Sequence, residues 1–163
     1  MRFVSVLAAA VLAFVSPSAF AAVDKPISLK DPKAFIAALA EMGYSPDKVE
    51  IEPTSTHLIF TVNGFASDMT LVGCKAGKDC EYLFLATSYN DIINPPAAWM
   101  AKTNEKFDLI KVKKNDRSQL QMSNAYVVEG MPRETFKRII DYWDADTAGV
   151  GDDAKAAGLT SGK

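Results

Sequence analysis

Apolar and polar residues alternate in two consecutive stretches of the chain, residues 57–62 and 65–74. This period of two is typical of β-strands that bury one face. The Asn-Gly pair at positions 63 and 64 is the strongest two-residue signal for a hairpin turn. The turn therefore predicts that Val62 lies opposite Phe65, and counting outward gives every other pair of the two strands.

The next hairpin can be registered independently from the two cysteines, Cys74 and Cys80. A disulfide between neighbouring strands requires these residues to lie opposite each other, which pairs Leu71 with Leu83. Both registers place the same large apolar residues on one face, and a slip of one residue in either hairpin would scatter them. The residues of this face are Leu58, Phe60, Val62, Phe65, Met69, Leu71, Leu83 and Leu85.

The other face of these strands, which we call the mixed face, combines polar residues with large apolar ones. The two registers place Val72 opposite Tyr82 and Thr70 opposite Phe84. Apolar groups with a polar edge are typical of a protein-binding surface. The mixed face comprises Ile59, Thr61, Asp68, Thr70, Val72, Tyr82, Phe84 and Ala86, with His57 at its rim.

Four large residues of the mixed face are therefore the candidate partner-binding residues. They are Ile59, Val72, Tyr82 and Phe84. The alternative is that a terminal segment or the first strand covers the mixed face within the monomer. In that case, the interaction surface is expected on the middle helix around Trp99, which is the fifth candidate partner-binding residue.

Three helices are predicted from capping residues and from apolar residues at helical spacing. Asp31 and Pro32 begin the first helix, which Gly43 ends. Residues 94–107 form the second helix, in which Trp99 faces inward. The third helix follows Gly130-Met131-Pro132, and its inward stripe comprises Phe136, Ile139, Ile140 and Trp143.

The predicted order of elements is α-β-β-β-(β)-α-β-β-α. A short strand at residues 49–52 precedes the two hairpins, and a third hairpin spans residues 110–128. Strand runs separated by single helices predict the α+β class, with helices packed on a single antiparallel sheet of about five strands. The domain is expected at residues 22–146, and the small and polar residues 147–163 are expected to form a flexible tail.

Residues 1–21 have the pattern of a secretory signal peptide. Arg2 precedes an apolar run over residues 3–15 that is too short to span a membrane, and residues 19–21 form an A-x-A cleavage site. Cleavage after Ala21 predicts a periplasmic or secreted protein without membrane insertion; an uncleaved anchor is the alternative. Because Arg2 is the only charge removed from 18 basic and 20 acidic residues, the net charge would change from −2 to −3.

In an exported protein, two cysteines are expected to form one structural disulfide. A zinc site needs about four ligands, and the sole histidine, His57, is the only other soft ligand in the chain. The C-x5-C spacing also differs from the C-x-x-C motif of thiol oxidoreductases. Reactive thiols and a metal site remain the weaker alternatives.

No motif for catalysis, a cofactor or a metal is found in the sequence. We expect His57 to be a solvated histidine without a catalytic partner. The basic residues between Lys111 and Arg117 are expected to form the solvated face and tip of a hairpin rather than a nucleic-acid site, because the predicted exported chain is acidic overall. The sequence therefore predicts a protein that is not an enzyme.

Residues 28–146 resemble the YbjN domain family, bacterial proteins described as sensory transduction regulators. The resemblance rests on a helix ending in Gly43-Tyr44, on NGFASDMTLVGCKAGKDCEYLFLATSYN with its paired cysteines, and on VVEGMPRETFKRIIDYW. The paired-cysteine hairpin is typical of exported members. The sequence departs from the family pattern in the middle helix, where Met100 rather than Asn follows Trp99.

The resemblance implies a fold similar to that of type III secretion chaperones, small α/β modules that bind other polypeptides and often dimerise. It supplies no catalytic residues. We therefore expect a non-enzymatic periplasmic binding or chaperone-like module, with a protein partner or a second copy of itself, that recognises a polypeptide through a sheet face or edge. The alternative is an envelope stress sensor or regulator that binds a small ligand between sheet and helices.

Overall fold

The computed structural model describes residues 25–160, so the predicted signal peptide, residues 1–21, lies outside the described residues. The elements follow the predicted order. Along the chain they are α1 (Pro32–Glu41), β1 (Lys48–Ile51), β2 (Ser55–Val62), β3 (Phe65–Val72), β4 (Tyr82–Ile93), α2 (Ala97–Lys106), β5 (Lys111–Lys114), β6 (Gln119–Tyr126) and α3 (Arg133–Ala156).

The strands form one antiparallel sheet in the order β1-β2-β3-β4-β6-β5. The α+β class is confirmed, with six strands where about five were predicted. Every strand pairs with the strand that follows it in sequence except β4, because β6 lies between β4 and β5. The connection from β4 to β5, which contains α2, therefore crosses over β6.

Both predicted hairpin registers are confirmed. Val62 lies opposite Phe65, and Leu71 lies opposite Leu83. Cys74 and Cys80 form a disulfide just beyond the paired ends of β3 and β4. Of the eight residues predicted on the apolar face, five are buried and Phe60 and Phe65 pack partly buried against the same core; Val62 is half-buried at the hairpin turn.

The apolar face of the sheet is covered by α1 and α3. Phe35 of α1 and Phe136 of α3 meet edge to face, with ring centroids 5.8 Å apart. Farther along α3, the indole Nε1 of Trp143 donates to Thr87 Oγ1 at 3.1 Å, and Tyr89 donates its hydroxyl to the Thr147 carbonyl at 2.8 Å. Hydrogen bonds to buried polar groups thus fix α3 on β4.

The predicted flexible tail is wrong for residues 147–156, which continue α3 to Ala156. Thr147, Val150 and Ala154 are buried and extend the inward stripe of the helix. The tail was predicted to be flexible because the stripe is made of small residues, and because the segment contains two glycines, which disfavour a helix. In the structure, small residues allow close packing, because a Cβ added to Gly149 would lie 3.2 Å from the ring of Phe107.

No helix within residues 25–160 is both long enough and apolar enough to cross a membrane.

Candidate functional site: the mixed face of the sheet

The mixed face lies opposite the face on which the helices pack. The core cluster contains residues of α1, of α3 and of the apolar face, and α2 packs partly buried residues against it. None of Ile59, Val72, Tyr82 and Phe84 belongs to this cluster or packs against it. Tyr82 is 36% exposed, and the other three are half-buried. Within residues 25–160, the first strand extends the sheet beside β2 rather than covering these four residues, whereas Thr70 and Ala86 of the mixed face are themselves buried.

The registers place three of the four candidate residues together. Val72 lies opposite Tyr82, and Phe84 follows Tyr82 on the same side of β4, opposite Thr70. Ile59 lies on β2, opposite Asp68 of β3, and is therefore one strand farther from β4 and its aromatic residues. Polar side chains of β2 and β3 separate it from the aromatic residues, so the polar group lies between the apolar residues rather than only at their edge.

This polar group is built around His57, which is not the solvated histidine that we expected. Its Nδ1 lies 3.1 Å from Asp68 Oδ2 and 3.2 Å from Thr70 Oγ1, and its Nε2 lies 3.2 Å from Ser55 Oγ. Thr70 also donates to Asp68 Oδ1 at 2.9 Å. The imidazole is therefore held in one orientation, with 29% of its side chain exposed.

Ser55, His57 and Asp68 form a chain of hydrogen bonds with the composition of a Ser-His-Asp hydrolytic triad. Their surroundings do not support hydrolysis, however. Ser55 donates its hydroxyl to Glu52 Oε2 at 3.1 Å. A nucleophilic serine also needs nearby N–H donors for the oxyanion. Ser55 begins β2, which pairs with β1 on one side and β3 on the other, so the sheet uses the N–H groups of this strand.

The mixed face is concave at its centre. A cavity of about 710 Å³ extends from Ile59 and Phe84 to the turn between β5 and β6, where Asp116 and Arg117 line its far wall. An irregularity in the pairing of β4 with β6 between Tyr89 and Ile93 shifts the register next to this turn. Such bulges bend a strand and increase its twist.

Sequence reasoning missed two contributors to this site. The turn at residues 115–117 was predicted as a solvated tip, and nothing in its sequence shows that it stands over the mixed face. The contact between His57 and Asp68 had a usable signal, however. The predicted register placed His57 opposite Thr70 and Ile59 opposite Asp68, so His57 and Asp68 are diagonal neighbours within reach of a long side chain.

Trp99 is not part of the mixed face. It lies half-buried on α2 and packs against the core cluster together with Met100. Thr103 is the buried residue of that helix. The structure therefore separates Trp99 from the other four candidate residues.

A second cavity, which we call the α3 groove, lies on the helix side of the sheet. It measures about 390 Å³ between α3, the β2–β3 hairpin and residues 43–45. Phe60, Ile140 and Trp143 supply apolar wall, and Tyr44 donates its hydroxyl to Asp141 Oδ1 at 3.2 Å. Burial, followed by the charge of Asp141, raises the pKa of Tyr44 to about 12.

Comparisons with known proteins support the fold alone. No protein-family model matches the chain, and no curated protein matches it. Among solved structures, the chain is similar to the crystal structure of YbjN from E. coli, a proposed transcription regulator. The two share 14% of their residues over 82% of this chain and 98% of that chain, with a TM-score of 0.55. This similarity confirms an α+β fold like that of YbjN.

Proposed function

We propose that the chain is an exported, non-enzymatic, chaperone-like module that binds a polypeptide segment on its mixed face, with a regulatory role through that partner. The observation that carries this proposal is the one-sided packing of the sheet. All three helices contribute to the core on one side, while Val72, Tyr82 and Phe84 lie outside that core on the other. Apolar groups gathered on one surface favour a protein partner.

The polar groups of the mixed face suit an extended polypeptide. His57, Asp68 and Thr70 place donors and acceptors beside the aromatic residues, and the cavity next to Phe84 offers room for a side chain. Backbone and polar side chains of a bound segment could pair with these groups while its apolar side chains contact Tyr82 and Phe84. The disulfide between Cys74 and Cys80 is compatible with export.

The test is a binding titration with a soluble, permanently unfolded polypeptide, such as reduced and carboxymethylated α-lactalbumin. Replacing Tyr82→Ala together with Phe84→Ser should raise the dissociation constant by at least about tenfold, because aromatic anchors supply most interface energy. Fluorescence anisotropy of the labelled polypeptide measures the change.

Tyr142→Ala is the matched control, because Tyr142 is an aromatic residue of α3 that is 58% exposed and lies outside the mixed face. It should leave the dissociation constant unchanged. Equal weakening by both variants, or none by the double variant, would contradict the proposal. Should the double variant unfold, Tyr82→Ala alone removes only a partly exposed side chain and serves the same comparison.

The α3 groove supports a second candidate, a sensor that binds a small ligand. Its volume of about 390 Å³ falls within the range of ligand pockets, and apolar walls with a few polar groups are typical of them. A metabolite screen by thermal shift tests this candidate. A ligand of the groove should stabilise the protein, and Ile140→Gln should weaken its binding while Tyr82→Ala does not.

A further inference from the structure

The two edge strands of the sheet differ in how their outer backbone is protected. On β5, Asn104 of α2 bonds both outward groups of Val112: its Oδ1 accepts from the Val112 N–H at 2.7 Å, and its Nδ2 donates to the Val112 carbonyl at 3.1 Å. Exposed Lys111 and Lys113 flank this position. Side-chain capping and edge lysines both discourage pairing with another strand.

Among the described residues, the β1 edge has no side-chain cap on its outward backbone, and its one lysine, Lys48, is paired with Glu50 of the same strand. Its four residues are exposed, with Val49 at 40% and Ile51 at 50%. Within residues 25–160, no hydrogen bond is made to the outward backbone of Val49. An exposed edge strand with apolar side chains is a template for a further strand.

The direction of each backbone group on β1 follows from one hydrogen bond. Glu52 N–H donates to the Ser55 carbonyl at 2.8 Å, so its backbone points toward β2. Because this direction alternates along an antiparallel strand, Glu50 and Lys48 also point toward β2. Val49 and Ile51 therefore present their N–H and C=O groups to the open edge.

The sequence of β1 is complementary to itself in one such register. With the two-fold axis at Val49, the two Val49 residues exchange backbone hydrogen bonds, and Lys48 lies opposite the partner's Glu50 on the mixed side. Lys48 of one copy and Glu50 of the other then form a pair that exchanges no backbone hydrogen bonds. In an antiparallel sheet, side chains approach most closely in such pairs. Moving the axis by one residue either way would place Glu50 opposite Glu50 or Lys48 opposite Lys48.

From this complementarity we infer that the chain forms a two-fold dimer with a second copy by pairing β1 with β1 in the register centred on Val49. The six-stranded sheets join into one of twelve strands, and the axis perpendicular to the sheet keeps both mixed faces on the same side. With a strand spacing of about 4.8 Å, the β3 strands of the two copies lie about 24 Å apart.

The test is a charge exchange read by sedimentation equilibrium. Wild-type protein should show a monomer–dimer equilibrium. Lys48→Glu and Glu50→Lys, purified separately, should each raise the dimer dissociation constant by about tenfold or more, because each places like charges opposite each other twice. An equimolar mixture of the two variants should form a heterodimer, since both opposing pairs are then of opposite charge.

Circular dichroism provides the folding control, and both variants should remain folded because the Lys48–Glu50 ion pair within one chain is exposed. A monomeric wild type, undiminished dimerisation of the single variants, or a mixture that stays monomeric would each overturn the inference. Dissociation by Tyr82→Ala with Phe84→Ser, rather than by Lys48→Glu, would also overturn it and would place the interface on the mixed face. The dimer can fail while polypeptide binding on the mixed face stands.

Discussion

Asp146 shows at the residue scale what partial burial costs. It lies half-buried on α3, and desolvation raises the pKa of its carboxyl above the ordinary value. The folded state therefore holds this proton more tightly than the unfolded state does. As pH rises from the ordinary value of about 3.9 through the raised pKa, the fold loses stability. At pH values above the raised pKa, the full cost of burying the charged carboxylate destabilises the fold.

Asp146→Asn should therefore raise the free energy of unfolding at neutral pH, because the amide carries no charge to bury. The gain should vanish at about pH 3, where the carboxyl is protonated in both states. Urea denaturation at the two pH values measures this difference. Asp152→Asn, at an exposed position of the same helix, controls for the amide itself. A gain of equal size at both pH values would refute the burial explanation.

Most residues of the mixed face could be assigned from sequence because strand alternation and two independent turns determine which side each residue faces. Their surroundings could not. The exposure of Tyr82 depends on which face of the sheet the helices pack against. The hydrogen bonds of His57 depend on the orientation of its side chain. Register therefore predicts which residues are neighbours, but not which of them bond.

At the scale of the element, α3 is the clearest departure from expectation. Large apolar residues mark the helix as far as Trp143, and the small and polar residues beyond Asp146 predict a flexible tail. Thr147, Val150 and Ala154 continue the same stripe with smaller side chains and are buried. A helix that lies close to its neighbours needs small residues at the contact, so the loss of large residues did not mean the loss of packing.

The two glycines of α3 provide a matched test of this close packing. Alanine is favoured over glycine within a helix by about 1 kcal/mol. A Cβ at Gly151 would lie 3.4 Å from the ring of Phe65, an ordinary contact, whereas a Cβ at Gly149 would lie 3.2 Å from the ring of Phe107. Gly151→Ala should therefore stabilise the protein, and Gly149→Ala should be less stable than Gly151→Ala.

Chemical denaturation of the two glycine variants measures the comparison. If Gly149→Ala gained as much stability as Gly151→Ala, the contact between α3 and Phe107 would be looser than the structure shows.

At the scale of the whole molecule, the functional argument depends on the asymmetry of the sheet. Three helices contribute to the core on one side, and the mixed face with its concave centre lies on the other. The α+β class was predictable from the order of strands and helices. The position of the turn at Asp116 and Arg117 beside the mixed face was not predictable, because no local sequence pattern marks the nearby irregularity in the pairing of β4 with β6.

Methyl NMR of the protein titrated with unfolded polypeptide tests the central claim most directly. Ile59 reports on the mixed face, and Ile140 reports on the α3 groove at the opposite side of the sheet. We expect the methyl signals of Ile59 and Val72 to shift in a saturable manner while those of Ile140 stay in place. Shifts confined to Ile140, with Ile59 and Val72 unchanged, would contradict the claim that the mixed face binds polypeptide.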